Sequence, residues 1–216
     1  MINIQRFECN PFQENCYVAS DNSGEAVIID CGAFYDEERK AVTEYIRDNK
    51  LRPVHLIATH AHIDHNFGND TIFKEFGLKP KVSGRDEILM NHLPEQAMAF
   101  CNIQMDRNVI PPVGRFFTEK DVICFGNHKL SILPTPGHTP GSVFFYCKEE
   151  HLAFSGDTLF RMSIGRTDFE QGCYTDIIAS LHNVVAKLPD DTVILPGHGP
   201  QTNIKDELAM NPYIRL

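Results

Sequence analysis

The stretch Thr59-His60-Ala61-His62-Ile63-Asp64-His65 places three imidazoles and a carboxylate close together in the chain. In extended backbone, His60 and His62 project from the same side and can bind one metal ion. Asp64 and His65 follow at a different angle and indicate a second centre. We interpret the stretch as a metal site; the alternative is a solvated, histidine-rich loop.

The apolar run Leu56-Ile57-Ala58 comes directly before this stretch and predicts a buried strand. The histidines therefore lie where a strand ends and a loop begins. On a helix, two zinc ligands are usually one turn apart, as in His-x-x-x-His. The closer spacing of His60 and His62 fits an exit from a strand and does not fit a helix.

Length and charge limit the classes of protein and partner. The 216 residues are compatible with one large domain or two small ones, and we expect a single domain over residues 1–216. The net charge of −9 gives no general attraction to nucleic acid or to an anionic membrane, so we expect neither as a partner. Residues 130–147 carry no formal charge, but prolines and glycines interrupt them, so they are not a membrane span. The sequence does not indicate an oligomeric state.

The cysteines and the start of the chain bear on location. There are 7 cysteines, scattered and without a Cys-x-x-Cys pair, which favours reduced thiols in a reducing compartment over a disulfide framework. The first residues, Met1-Ile2-Asn3-Ile4-Gln5-Arg6-Phe7-Glu8, are too charged and too short in apolar residues for a signal peptide. We therefore expect a cytoplasmic protein.

The pattern of elements predicts an α/β fold. Strands come first in each half of the chain and helices follow, which favours two packed sheets with helices outside. The first half has strand patterns at 2–7, 15–20 and 26–30 and a helix pattern at 36–49. The second half has strand patterns near 121–125, 128–133, 142–147 and 151–155, a helix pattern at 175–188 and a last strand at 192–195.

Residues 85–117 are less regular. We expect helices over 86–92 and 95–105, with Pro111-Pro112-Val113-Gly114 ending them. The segment is rich in Met and Phe. It either lines a substrate pocket or packs against the core, and Met and Phe at helical spacing usually mean core.

Three further segments share one design, namely a strand, a tight glycine turn and then a residue that can bind metal. They are Pro136-Gly137-His138-Thr139-Pro140-Gly141, Ser155-Gly156-Asp157 and Pro196-Gly197-His198-Gly199-Pro200. Glycine permits the close backbone approach that a crowded site needs. A single His or Asp after a strand is more often structural, but three such positions together with the 59–65 stretch favour one shared site.

The seven candidate ligands divide into two sets of three and one shared carboxylate. The sets are His60, His62 and His138 for one ion and Asp64, His65 and His198 for the second, with Asp157 bridging them. A carboxylate can bridge because it has two oxygens. Nitrogen and oxygen ligands without cysteine suit two divalent ions, zinc first, with iron or manganese as alternatives. We interpret the other histidines as structural or exposed: His55, His92, His128, His151 and His182.

This pattern of His-x-His-x-Asp-His followed by Gly-His, Gly-Asp and Gly-His resembles the metallo-β-lactamase superfamily of hydrolases. More narrowly, Thr135-Pro136-Gly137-His138-Thr139-Pro140-Gly141, Gly156-Asp157-Thr158-Leu159-Phe160 and Gly165-Arg166-Thr167-Asp168-Phe169 are similar to the glyoxalase II (hydroxyacylglutathione hydrolase) branch. So are Asn10-Pro11-Phe12-Gln13-Glu14-Asn15-Cys16-Tyr17 and the tail Asn211-Pro212. The resemblance implies a four-layer αββα sandwich with metals at one edge of the two sheets. It also implies a loop-stabilising role for Arg166 and Asp168.

The chain departs from that branch in two places. Only a few residues follow Asn211-Pro212, where full-length glyoxalase II continues into a helical glutathione-binding domain. We therefore expect a short form without that domain, and the specific substrate does not carry over. Phe169-Glu170-Gln171-Gly172-Cys173 resembles the related persulfide dioxygenases, which use one iron and oxygen. True β-lactamases fit poorly, because they usually have a metal-binding cysteine in place of Asp157 and are secreted.

These features predict a metal-dependent thioesterase of glyoxalase II type that acts on a small-molecule thioester. A metal-bridging hydroxide would attack the thioester carbonyl, with Asp64 as the catalytic residue that binds metal and orients the hydroxide. The pocket would be walled by the loop around Phe12 and by residues 85–117. The alternatives are a mononuclear iron persulfide dioxygenase, a lactonase or phosphodiesterase on the same fold, and a non-catalytic metal-binding protein. The complete ligand set argues against the last, since a structural zinc site does not need two open centres.

Overall fold

The computed structural model describes residues 1–215 and places most of their strands in two six-stranded sheets. In the first sheet the order in space is the order in the chain: β1 (Asn3–Cys9), β2 (Glu14–Ser20), β3 (Glu25–Ile29), β4 (Arg52–Ile57), β5 (Pro80–Ser83) and β6 (Arg115–Phe117). β1 to β3 pair antiparallel, as hairpins do, whereas β3 to β6 pair parallel. Parallel neighbours need crossover connections, and the helices supply these.

The second sheet contains the strands of the second half of the chain. In chain order these strands and an adjoining small ribbon are β7 (Val122–Phe125), β8 (His128–Pro134), β9 (Val143–Cys147), β10 (Leu152–Gly156), β11 (Leu159–Phe160), β12 (Ser163–Ile164), β13 (Val193–Pro196) and β14 (Thr202–Asn203). The order in space is β14-β13-β10-β9-β8-β7, and β11 pairs only with β12. β10 and β13 are parallel, while the other pairs are antiparallel.

Apolar side chains from both sheets form the central core. Ile29 and Ile57 of the first sheet belong to the same buried cluster as Phe145 and Phe154 of the second. The strands that meet here are buried on both faces, which explains why their sequences read as nearly continuous apolar runs.

Helices cover the outer faces. They are α1 (Asp36–Asp48), α2 (Asn69–Phe76), α3 (Glu87–Asn91), α4 (Leu93–Cys101), α5 (Tyr174–Asn183) and α6 (Ile204–Met210). α1 packs Val42 and Ile46 against the outer face of the first sheet, and α5 packs Leu181 against the second. The result is the α/β architecture of four αββα layers that the resemblance implied.

Some boundaries differ from the sequence prediction. The helix expected at 175–188 ends at Asn183 and continues only as a 3-10 turn at Val185–Lys187. The helix expected at 95–105 begins and ends earlier as α4, because Asn102 takes a left-handed conformation with φ of 54°. β6 and β14 were not predicted, since strands this short are below the length at which alternation can be recognised. Within residues 1–215, no helix has the length and apolarity that crossing a membrane requires.

Candidate metal centre

The loop after β4 carries the first ligands. β4 ends at Ile57, so His60 and His62 lie on the loop and not in the strand. A 3-10 turn at Ile63–His65 then interrupts the extended backbone. This change of conformation separates the His-x-His pair from the two ligand candidates that follow it.

The other candidates lie at one edge of the second sheet. His138, Asp157 and His198 follow the ends of β8, β10 and β13. These three strands run in the same direction, because β10 is parallel to β13 and both β8 and β10 are antiparallel to β9. Their carboxyl ends therefore share an edge. A bridge between Glu14 and His198 joins this edge to the first sheet.

Among the described residues, four groups of three side chains bring their ligand atoms within 4.8 Å of one another. Two of them are His60, His62 and His138, and Asp64, His65 and His198. The other two both contain His65, once with His60 and Asp157 and once with Glu14 and Asp30. In the first group, Nδ1 of His62 lies 2.9 Å from Nε2 of His138. In the second, Oδ2 of Asp64 lies 3.3 Å from Nε2 of His198 and 3.8 Å from Nε2 of His65. These are the two groupings that the sequence predicted.

Asp157 lies between the two groups. Its Oδ1 is 3.3 Å from Nε2 of His65. Its Oδ2 is 3.5 Å from Nε2 of His138 and 3.5 Å from Nε2 of His198. The carboxylate thus faces members of both groups, as a bridging ligand must.

Several of these atoms lack a hydrogen-bond partner. Within residues 1–215, Nε2 of His60, Nε2 of His65 and Oδ1 of Asp157 are buried and unpartnered. Buried polar atoms are otherwise nearly always hydrogen-bonded, because desolvation without a partner is costly. The unpartnered atoms are imidazole nitrogens and a carboxylate oxygen, and they converge on one region. Such atoms are the ligands that divalent cations such as zinc, iron or manganese prefer.

Burial keeps the His-x-His pair neutral. It lowers the pKa of His60 well below the ordinary histidine value, helped by neighbouring His65 and His138. It lowers the pKa of His62 to about 3. Both imidazoles therefore have a free nitrogen lone pair at neutral pH, which is the form that binds metal.

The second group carries charge. Burial lowers the pKa of His65, but the carboxylates of Asp157 and Asp64 outweigh it and hold that pKa well above the ordinary value. The pKa of His198 is raised by the same balance, with Asp157 as its main carboxylate partner. Burial raises the pKa of Asp157, yet His198 and His65 hold it well below its usual range. Without metal, these groups stabilise one another as ions.

Asp30 supports the ligand loop and was not identified from the sequence. Its Oδ1 accepts a hydrogen bond from Thr59 N–H at 2.6 Å, and its Oδ2 accepts one from the Thr59 hydroxyl at 2.7 Å. Its Oδ2 is also 3.2 Å from Nδ1 of His65. The sequence assigned Asp30 to a strand; a carboxylate at the end of an apolar strand was the only signal. A carboxylate behind a metal-ligating histidine fixes the orientation of its ring.

Glu14 lies behind the same histidine. Its side chain is fully buried, and within residues 1–215 both of its oxygens lack a hydrogen-bond partner. Oε1 is 3.8 Å from Nδ1 of His65, and burial raises the pKa of Glu14 well above its usual range. No pattern in the sequence distinguishes Glu14 from an exposed loop glutamate.

Asp86 links two ligand loops and was also missed. It accepts hydrogen bonds from Ala61 N–H at 3.0 Å, from the Thr139 hydroxyl at 2.8 Å and from Gly141 N–H at 2.6 Å. Ala61 separates His60 from His62, and Thr139 follows His138. One buried carboxylate therefore fixes both sides of the first ligand group.

Gly197 shows why one of the ligand turns requires glycine. A Cβ at this position would collide with Oδ1 of Asp157 and with the ring of His65. The residue before His198 must therefore lack a side chain for the ligands to reach their observed positions.

A cavity of about 660 Å³ opens over the ligand groups. Its walls include Phe12 and, from the 85–117 segment, Ala99 and Phe100, as the sequence predicted. The same segment also packs Met90 and Leu93 into a buried cluster. Some of its residues therefore line the pocket, and others pack against the core.

The loop after β12 closes one side. Arg166 donates two hydrogen bonds of 2.7 Å to the carboxylate of Asp168, consistent with the expected loop-stabilising role. The Arg166 carbonyl oxygen lies 2.7 Å from Nδ1 of His138, which orients that ring. Cys173 precedes α5, and its N–H donates to the Gly137 carbonyl at 2.7 Å.

Comparisons with known proteins agree with this geometry. The family model of the metallo-beta-lactamase superfamily matches residues 9–198. A hydroxyacylglutathione hydrolase, GloC of Haemophilus influenzae, is 35% identical over 99% of this chain and 98% of its own length. The solved structure of BLEG-1, described as a B3 metallo-beta-lactamase, is 31% identical with a TM-score of 0.90 and covers 99% of this chain and 100% of that one. TTHA1623, solved in a di-iron-bound form, is 31% identical with a TM-score of 0.84, over 97% of this chain and 99% of that one.

The similarity to a B3 β-lactamase weakens the argument that Asp157 separates this chain from β-lactamases as a class. The iron-bound relative likewise leaves zinc and iron both compatible with the site. The match of the family model over most of the chain, together with the fold, establishes the broader relationship. The chain belongs to the metallo-β-lactamase superfamily, whose members are metallo-hydrolases.

Proposed function

We propose that the protein is a metal-dependent thioesterase of glyoxalase II type. The observation that carries the proposal is the convergence of two ligand triads on Asp157 at the floor of an open cavity. His60, His62 and His138 would hold one divalent ion, Asp64, His65 and His198 the second, and Asp157 both. A pair of divalent ions, when bound, lowers the pKa of water to roughly 7 and polarises a carbonyl oxygen.

Asp64 is the residue we assign to nucleophile positioning. It belongs to the second triad, and it also lines the cavity. Its carboxylate is ionised, because His65 and His198 outweigh burial and lower its pKa. It can therefore accept a hydrogen bond from the attacking water oxygen and direct that oxygen toward the carbonyl carbon.

A thioester suits this cavity because of its leaving group. The acid–base side chains that line the cavity are the candidate metal ligands and Arg166, which stays protonated. Within the part of the chain that the structure describes, no lining residue is then free to protonate a leaving group. A thiolate can leave unprotonated, whereas an amide nitrogen or an alkoxide needs a proton. The new C–O bond comes from water, which releases its two protons to solvent as the carboxylate forms. The C–S bond breaks with its electron pair on sulfur, and the thiolate takes up one proton from solvent.

The cavity offers little recognition of a charged thiol carrier. Among residues 1–215, Arg166 is the one Lys or Arg that lines it, and Asp168 neutralises it. We therefore expect S-lactoylglutathione to be hydrolysed detectably but inefficiently, with little loss of kcat/KM when a smaller thiol replaces glutathione.

The test compares S-lactoylglutathione with the lactoyl thioester of a small thiol, each assayed by loss of thioester absorbance in zinc-loaded protein. His138→Ala should lose metal and turnover together, whereas His151→Ala, an exposed histidine paired with Asp191, should lose neither. A kcat/KM that depends strongly on intact glutathione would contradict the expectation that the cavity recognises the thiol carrier only weakly. Hydrolysis of a penicillin but of no thioester, or turnover that consumes oxygen with one bound iron, would overturn the proposed reaction.

A further inference from the structure

A second chamber of about 350 Å³ adjoins the metal cavity. The two share His62, Ala99, Phe100 and Phe169 as lining residues. The chamber then extends away from the metal ligands between α3, α4 and the loop that contains Glu170. The two spaces therefore share one rim, and a substrate bound over the ligand groups can extend across it into the chamber.

Two aromatic rings form the rim between the two spaces, and they contact each other without a gap. Phe100 and Phe169 lie with ring centroids 4.9 Å apart, and each meets the ring of His62 edge-on, at 6.4 Å and 5.5 Å. The Arg166 guanidinium lies 3.9 Å from the centroid of Phe169 and makes a cation–π contact with this ring. Phe100 remains 42% exposed, so its apolar surface faces the open space and is not used up in packing.

Among residues 1–215, the chamber lining is mostly apolar and contains no Lys or Arg; its polar members besides the two glutamates are His62, His92, Gln96 and Gln171. Ile88, Leu89, Ala99 and the two phenylalanines supply its apolar lining. Its charged side chains are Glu95, which is paired with Arg107, and Glu170. Arg107 itself does not line the chamber. Carboxylate or phosphate groups would therefore meet the negative charge of Glu170, which no Lys or Arg of the described lining compensates.

We propose that this chamber binds the uncharged, apolar acyl chain of the thioester, and that Ala99, Phe100 and Phe169 determine acyl-chain selectivity. The assignment rests on the proposed thioesterase function. The orientation follows from charge, because the departing thiolate becomes negative and is disfavoured next to Glu170. An aliphatic acyl chain carries no charge and gains from contact with the apolar walls.

The test uses zinc-loaded protein and N-acetylcysteamine thioesters from acetyl to hexanoyl. A fully buried methylene is worth about fourfold in binding, so we expect kcat/KM for hexanoyl to exceed that for acetyl by at least about tenfold. Ala99→Phe, which adds bulk to the rim that both spaces share, should bring this ratio close to one. Met98→Phe is the matched control, since Met98 is exposed on the same helix and lines neither space; it should keep the wild-type ratio.

A charge test addresses the same chamber. Wild-type protein should discriminate against an acyl chain of similar length that ends in a carboxylate. Glu170→Lys should relieve that discrimination, while Glu44→Lys on α1 should leave it as in wild type. A hexanoyl-to-acetyl ratio near one in the wild type, or an unchanged ratio in Ala99→Phe, would overturn the inference. A gain that follows the length of the thiol and not of the acyl chain would overturn the orientation.

A binding measurement separates this inference from the proposed reaction. The uncharged fluorescent probe N-phenyl-1-naphthylamine should bind wild type and Met98→Phe saturably and Ala99→Phe weakly, with octanol displacing it. If no thioester is hydrolysed but the probe behaves this way, the proposed function fails while the apolar site stands with a different occupant. If thioesters are hydrolysed but the probe does not distinguish the variants, the chamber assignment fails alone.

Discussion

Individual residues around the site divide into those that would touch metal and those that orient them. Asp64 is in the first class and also lines the cavity. Asp30 and Glu14 are in the second, because they face Nδ1 of His65 while its Nε2 faces Asp157. In the His65 ring, Nε2 therefore faces the candidate ligands, while Nδ1 faces the carboxylates that orient the ring.

Asp64→Asn should lower kcat by roughly 10²-fold and change KM little, since the amide cannot accept the hydrogen bond of the nucleophile in the same way. Metal content and kinetics should be measured on the same preparation, with Asp48→Asn at the exposed end of α1 as the control. Full metal content with full turnover would show that Asp64 does not position the nucleophile.

The raised pKa values of His65 and His198 make metal binding depend on pH. In the metal-free protein, the two protonated histidines contribute to the free energy of unfolding. This contribution is complete at pH values below the histidine pKa of the unfolded chain. It is lost as the pH rises through the raised pKa values of the folded protein. Metal needs the neutral rings, so its binding releases protons and tightens with pH. We therefore expect the gain in Tm on adding zinc to increase between about pH 6 and pH 8.

Calorimetry of metal-free and zinc-loaded protein across that range, with proton release followed in weak buffer, tests this dependence. A constant gain in Tm without proton release would contradict the charged state assigned to His65 and His198.

At the scale of elements, the site depends on loops that different sheets contribute. The 59–65 loop comes from the first sheet, and the His138 turn comes from the second. Asp86, between β5 and α3, hydrogen-bonds to both. It is fully buried, so each donor would lose its partner if the carboxylate were removed.

Asp86→Ala should lower the free energy of unfolding by about 2–4 kcal/mol, the scale expected when a buried charged acceptor leaves several donors unsatisfied. Zinc affinity should fall with it, because the loops on both sides of the first ligand group lose their common anchor. Denaturant unfolding and zinc titration measure the two effects, with exposed Glu87→Ala as the control. Unchanged zinc affinity in Asp86→Ala would show that the loops are held by other contacts.

The sequence predicted which candidate ligands lie together, because each of them follows an apolar strand within about eight residues. That local signal sufficed for His60, His138 and His198. It failed for Asp86 and Glu14, whose roles depend on contacts with residues distant in the chain and leave no periodic pattern. The 85–117 segment was predicted only as alternatives, because Met90 packs in the core while Phe100 lines the cavity, and composition does not separate these two uses.

At the scale of the molecule, packing one sheet against the other is what assembles the site. The first sheet supplies the 59–65 loop and the second supplies His138, Asp157 and His198 at one edge. Neither sheet alone contains a complete ligand set. The stability of the sandwich and the occupancy of the site should therefore be coupled.

The most direct test of a two-metal thioesterase is a titration of metal-free protein with zinc while thioester hydrolysis is followed. We expect the rate to rise until about two zinc ions are bound per chain and then to level off, since both triads contribute to the reactive centre. A rate that is complete at one ion per chain, or no hydrolysis at any zinc concentration, would contradict it.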